Sequence, residues 1–213
     1  MAIPPASPGS PGTIAAVAEQ TTPASPSDDR RPEAHDRFLL LVYRIPTEPT
    51  RLRAGVWRKI KGLGAVYVQN SAAALPATPA NERALRALRA EIDELGGTAF
   101  LFDTALVAGR DHLVALFNAQ RDDEYDEVVD RCEDYLRQIS KEYDATHFTY
   151  AELEENDVDL AKLKSWLERI ENRDAFGATR RTAAEAALVR CEEALEEYAA
   201  RVYVEEGEGP RHA

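Results

Sequence analysis

Apolar residues along this chain change their spacing several times, and each change marks an element. Phe38 to Ile45 is a nearly unbroken apolar run, as expected of a strand covered on both faces. Pro46 and Pro49 break it, and Thr47 or Thr50 stands where a helix cap belongs. From about Thr50 to Leu63 the period becomes helical, with Leu52, Val56, Ile60 and Leu63 on one face, and Gly62 and Gly64 end the pattern. Short β-type runs follow at Ala65–Gln69 and about Ser71–Leu75, with Asn70-Ser71 placed as a tight turn between them. Thr78-Pro79 has the form of a cap followed by proline at the first helical position. The helix it opens runs to Leu95 with Leu85, Leu88 and Ile92 inward, Gly96-Gly97 stops it, and Thr98–Val107 reads as a last strand.

The order is βαββαβ, which predicts an α+β fold with a ferredoxin-like arrangement: one antiparallel sheet with two helices on one face. After Gly109 only helical spacing remains. Asp111–Tyr143 repeats Tyr125, Val128, Val129, Cys132, Leu136 and Ile139. Glu152–Ile170 is expected to bury Leu153, Val158, Leu163, Trp166, Leu167 and Ile170, with Gly177 as a stop. Thr182 and Glu185 have capping-box spacing at the head of a helix that reaches about Val204 and carries Leu188, Cys191, Leu195, Tyr198 and Val202 on one stripe. These segments predict an antiparallel helical subdomain. The expected organisation is a ferredoxin-like domain over 37–109, the helical subdomain over 110–204 and a flexible C-terminus over 205–213. Residues 1–36 hold seven of the twelve prolines among Ala, Ser, Gly and Thr, a composition expected to stay disordered.

Charge sharpens this picture. The chain of 213 residues carries net −12. Between residues 38 and 75 the sign reverses: Arg44, Arg51, Arg53, Arg58, Lys59 and Lys61 stand against Glu48 alone, a local +5. Residues 110–213 hold 27 acids against 14 bases. Such asymmetry points to a surface that meets something anionic. The two cysteines, Cys132 and Cys191, fall at apolar helical positions and read as buried free thiols in a reducing compartment. No apolar run approaches the ~18 residues of a membrane span. The N-terminus lacks the pattern of a secretory signal, so the expected location is the cytoplasm.

The polar face of the first helix is the sharpest chemical candidate. At about 100° per residue, Arg51, Arg58 and Lys61 fall opposite the apolar stripe, with Arg53 and Trp57 together at one margin. Guanidinium groups suit phosphate because their planar fork donates parallel hydrogen bonds, and an aromatic beside them can stack or wedge. The same pattern also suits a solvated face with an ordinary packed tryptophan. Lys59 projects close to the apolar stripe and must snorkel or face a partner. The carboxylate runs Asp122-Asp123-Glu124 and Glu152-Leu153-Glu154-Glu155 lack the calcium-loop pattern and read as solvated helix faces. The histidines are scattered, and no motif of a nucleophile, P-loop, dinucleotide site or zinc protease occurs. No enzyme, metal or cofactor is therefore expected.

The string LLLVYRIPTEPTRLRAGVWRKIKGLGAVYVQNSAAALP (39–76) resembles the N-terminal domain of ChrB, the bacterial chromate-resistance regulator. LVALFNAQRDDEYDEV (113–128), FTYAELEEN (148–156) and LKSWLERIENRDAFGA (163–178) fit the same resemblance. It implies a transcriptional regulator of a chromate-efflux operon that binds promoter DNA. Longer members of that family carry a second, C-terminal domain associated with chromate sensing. With this chain ending near residue 213, the expectation is either a separate chromate-sensing partner domain or protein, or a role in resistance without sensing. The βαββαβ unit is also similar to CRISPR-associated spacer-acquisition nucleases and to the middle domain of phenylacetate-type repressors. Where those nucleases hold their metal with an Asp ending strand 1, this chain has Arg44, a cation that repels Mg²⁺.

Three readings result. The first is a DNA-binding regulator, expected to be a dimer, with Arg44, Arg51, Arg53, Trp57, Arg58 and Lys61 on nucleic acid. The second is a protein-interaction module whose basic helix docks on an acidic surface, the chain's own C-terminal helices included. The third is a metal-dependent nuclease, for which Asp103 is the one nearby acid.

Overall fold

The structure, a computed structural model, describes residues 37–207. The tail expected over 1–36 and the last residues, 208–213, lie outside them. β1 (Arg37–Arg44), α1 (Thr50–Gly62), β2 (Val66–Gln69), β3 (Ala72–Pro76), α2 (Pro79–Glu94) and β4 (Thr98–Ala105) follow the expected order. The sheet runs β2-β3-β1-β4 with every neighbouring pair antiparallel, which is the ferredoxin-like topology. β1 is central, and this explains why its sequence is apolar on both faces.

The odd positions of β1 point to the helices. Leu39 and Leu41 pack with Val56 and Ile60 of α1 and with Leu85, Leu88 and Ile92 of α2. Of the two helices on the sheet, α2 starts as the sequence indicates and α1 does not. Thr78 accepts a hydrogen bond from the Asn81 N–H at 3.1 Å, with Pro79 opening α2. α1 instead starts after Pro49 with no side-chain cap, so neither Thr47 nor Thr50 caps it. Gly97 is required where α2 turns into β4, because a Cβ there would stand 2.5 Å from the Arg44 carbonyl oxygen. Asn70-Ser71 does form the β2–β3 turn, with Ser71 at φ 66° taking the role usually given to glycine.

The even positions of β1 face the other way, and only one end of that face is covered. α3 (Arg110–Ala145) lays Leu113 and Phe117 against Phe38, Val66 and Ala74. Phe176, from the loop after α4 (Tyr150–Glu171), completes an aromatic cluster with ring centroids 5.2 Å from Phe117 and 6.2 Å from Phe38. Beyond it Val42, Phe100 and Phe102 remain exposed.

α3, α4 and α5 (Arg181–Gly207) form the helical part, joined by short connections and sharing a core of Tyr125, Val128, Cys132, Ile139, Leu160, Leu167, Ile170, Cys191, Leu195, Tyr198 and Val202. α5 runs past the expected end at Val204 to Gly207. Val158 was expected inside and is 48% exposed. It lies about 160° round α4 from Leu160, the residue that takes the inward place. Thr182 lies within α5 rather than capping it, and Glu185 pairs with Arg181 instead. The loop before α5 is held from outside: the Asp122 carboxylate accepts from the Arg180 N–H at 2.7 Å and from Thr179 Oγ1 at 3.0 Å. Both cysteines are buried free thiols, with Cys191 Sγ 3.5 Å from the Cys132 carbonyl oxygen. Hydrogen bonding to Cys132, with burial, pushes the Cys191 thiol upward.

Candidate nucleic-acid interface

α1 is amphipathic because its residues divide cleanly by angle. Val56 and Ile60 are buried against the sheet, while Arg51, Arg53, Trp57 and Arg58 are exposed and Lys61 is half-buried. Arg53, Trp57 and Lys61 follow one another at four-residue intervals, so they form a row along the helix. Arg51 and Arg58, two turns apart, form the neighbouring row with the small Ala54 between them. The Lys61 ammonium lies 5.9 Å from the Trp57 ring centroid, over an aromatic that is itself 50% exposed. Arg58 Nε donates to the Ala54 carbonyl at 3.3 Å, which lays its guanidinium along the helix.

No carboxylate among the described residues pairs with Arg51, Arg53, Arg58 or Lys61. Lys59 supplies the contrast. It turns toward α2 and meets Glu91 at 2.5 Å, which answers the question its position raised. The first turn of α1 contains no acid and no side-chain cap, so the positive end of the helix dipole adds to Arg51 and Arg53.

Arg44 does not join this group. It ends β1 on an even position, the face turned away from α1, and its register partner is Thr98. Asp103, the acid offered for a metal, is committed elsewhere: Arg37 donates to both its oxygens, at 3.2 and 2.6 Å. Asp103 pairs in register with Leu39, several residues from Arg44 along the strand, so the two do not share a site. Among the described residues no group of three or more His, Cys, Asp or Glu is arranged to hold a metal ion.

A buried charge cluster behind α1 escaped the sequence reading. Arg121 is 2% exposed and donates to Glu124 at 2.9 Å, and the other Glu124 oxygen accepts from Arg173 at 3.1 Å. Burial pushes the Arg121 guanidinium downward, partly offset by Glu124. Arg173 also donates to the Gly62 carbonyl at 3.2 Å, tying the last turn of α1 to the helical part. Gly64 lets these groups approach: a Cβ there would meet Arg121 Nη1 at 2.8 Å and Arg173 at 3.2 Å. Asp122-Asp123-Glu124 therefore does more than face solvent. The only hint in the sequence was an arginine, Arg121, four residues from both Phe117 and Tyr125 on the apolar stripe of α3.

The family model described as "Protein ChrB, N-terminal" matches residues 53–209, from within α1 to beyond α5. No curated protein matches the chain.

Proposed function

The chain belongs to the ChrB N-terminal family, and on that footing we propose that it is a regulator of bacterial chromate resistance that grips promoter DNA through the exposed face of α1. One observation supports this most: in a chain of net −12, the cations of one helix face have no carboxylate partner among the described residues, although the neighbouring Lys59 is paired. Acid is abundant, so neutralising that face was open to the fold. From Arg51 to Lys61 the face extends about 15 Å along the axis, enough to meet more than one phosphate of a duplex.

The chemistry is backbone recognition. The planar guanidinium groups of Arg51, Arg53 and Arg58 each donate parallel hydrogen bonds to phosphate oxygens, and Lys61 adds a point charge. The Trp57 ring offers an apolar face to sugar or base. Contacts of this kind position a protein on DNA without reading sequence. The rival reading, with α1 docked on the chain's own acidic helices, is disfavoured by the same unpaired cations: the helical part reaches α1 through the Arg173 bond to the Gly62 carbonyl rather than through carboxylates.

Salt titration of binding to a promoter duplex tests the proposal. Each phosphate contact contributes about −0.9 to the slope of log K against log salt, so replacing Arg51, Arg58 and Lys61 together by Ala flattens the slope by roughly 3 and weakens binding on every sequence. Unchanged affinity and slope in that variant refute the assignment.

A further inference from the structure

β4 is one edge of the sheet, opposite β2, and its backbone groups can be sorted. The Ala77 N–H donates to the Arg37 carbonyl and the Tyr43 N–H to the Ser71 carbonyl, so odd residues of β1 bond toward β3. Even residues of β1 therefore bond toward β4, where their register partners are Thr98, Phe100, Phe102 and Thr104. That leaves the N–H and C=O groups of Ala99, Leu101 and Asp103 directed outward from the sheet. Arg89 Nε donates to the Ala99 carbonyl at 3.2 Å, which agrees with this direction.

Edge strands of monomers are usually blunted by proline, lysine or a bulge. β4 reads TAFLFDTA, without proline or lysine, and its register with β1 is unbroken. Its one charge, Asp103, is already held by Arg37. Phe100 is 58% exposed and Phe102 49%, both on the sheet face that α3 leaves open.

The sequence of the strand selects the occupant. On its open face β4 is symmetric about Leu101: Thr98 mirrors Thr104 and Phe100 mirrors Phe102, while on the other face Ala99 mirrors Asp103. We infer that β4 pairs antiparallel with β4 of a second copy about a two-fold axis through Leu101, making one continuous sheet across a homodimer. Leu101 then exchanges both backbone hydrogen bonds with its own copy, and Ala99 does so with the partner copy's residue 103. Phe100 faces the residue at 102 across the axis, and Thr98 faces the residue at 104, as close non-hydrogen-bonded pairs. All four side chains stay on the same face, because a two-fold axis normal to the sheet preserves it. No like charges come opposite. The carboxylate at 103 of one copy arrives beside Arg89 of the other, whose hold on the Ala99 carbonyl it displaces. The two phenylalanines expose roughly 200 Å² per copy, and pairing covers the ring flanks that meet across the axis.

Sedimentation velocity on the full chain at tens of micromolar tests this without DNA, so it stands or falls separately from the regulatory reading. The expected result is a particle of twice the 23.6 kDa chain mass. The double substitution Phe100→Glu and Phe102→Glu converts it to monomer with an unchanged circular dichroism spectrum. The register is read by oxidation of a Thr98→Cys chain mixed with a Thr104→Cys chain. The mixture cross-links, whereas either alone does not, since like positions stand about 20 Å apart. A monomer, a dimer indifferent to the two glutamates, or cross-linking of either variant by itself as readily as in the mixture overturns the inference.

Discussion

Lys59 Nζ donates to both carboxylate oxygens of Glu91, at 2.6 and 2.5 Å, and so joins α1 to α2 on the margin of the apolar stripe. This pair separates a cation held within the fold from the exposed cations of the same helix. Both side chains remain partly in water, so the pair contributes little. A double-mutant cycle with Lys59→Ala and Glu91→Ala, followed by chemical denaturation, is expected to return a coupling of about 0.5 kcal/mol. Lys59→Ala alone leaves DNA affinity within about twofold, while Arg58→Ala lowers it and reduces the salt slope by about 1.

Trp57 reports on the same face by fluorescence. The chain has two tryptophans, and Trp166 is partly buried against the helical core. Promoter DNA is expected to quench the emission of the unaltered chain and to leave that of Trp57→Phe unchanged. Because the Trp57 ring is already half in water, Trp57→Ala changes stability by only about 0.5 kcal/mol, measured by urea unfolding.

Two glycines near each other in sequence predict opposite outcomes. Gly64 has φ +82° and abuts Arg121 and Arg173, so Gly64→Ala combines backbone strain with a clash and costs about 2–3 kcal/mol. Gly55 lies inside α1 with nothing within 4 Å of an added Cβ, so Gly55→Ala stabilises by about 0.5–1 kcal/mol. Thermal denaturation distinguishes them by the sign of the change in Tm.

Alkali is expected to destabilise the fold. Burial pushes Tyr67, Tyr125 and Tyr135 well above the ordinary value of 10.0, assisted at Tyr67 by its 2.9 Å hydrogen bond with Tyr43 and at Tyr125 by Asp174. Tyr143 and Tyr198 move the same way, again through burial first. Above pH 10 the unfolded chain releases these protons while the folded chain keeps them, so the folded state binds more protons and stability falls as pH rises. The contribution is fully present below pH 10. Denaturant midpoints measured from pH 8 to 11 are expected to be flat in this respect at first and to decline beyond 10.

Much of the fold was legible because local spacing and tertiary burial agree. Val56 and Ile60 read as inward and are inward. Thr78-Pro79 reads as a helix start and is one. Val158 misled because its apolar character says nothing about angle, and Leu160 beside it fits the stripe better. The candidate interface was legible in part. Spacing alone placed Arg51, Arg58 and Lys61 on the outer face, but whether Lys59 had a partner depended on the approach of α2, a contact between residues distant in sequence. Arg44 was grouped with these cations by proximity along the chain, and strand alternation turns it to the opposite face. Arg121 was missed because a buried arginine is justified only by Glu124 and by the space that Gly64 leaves.

The Arg173 guanidinium holds the Gly62 carbonyl on one side and Glu124 on the other. A single side chain thus bolts the cationic helix to the helical bundle at the end away from Pro49. Tilting or loosening the bundle pulls on that bolt, so the orientation of the cationic ridge follows the packing of α3, α4 and α5.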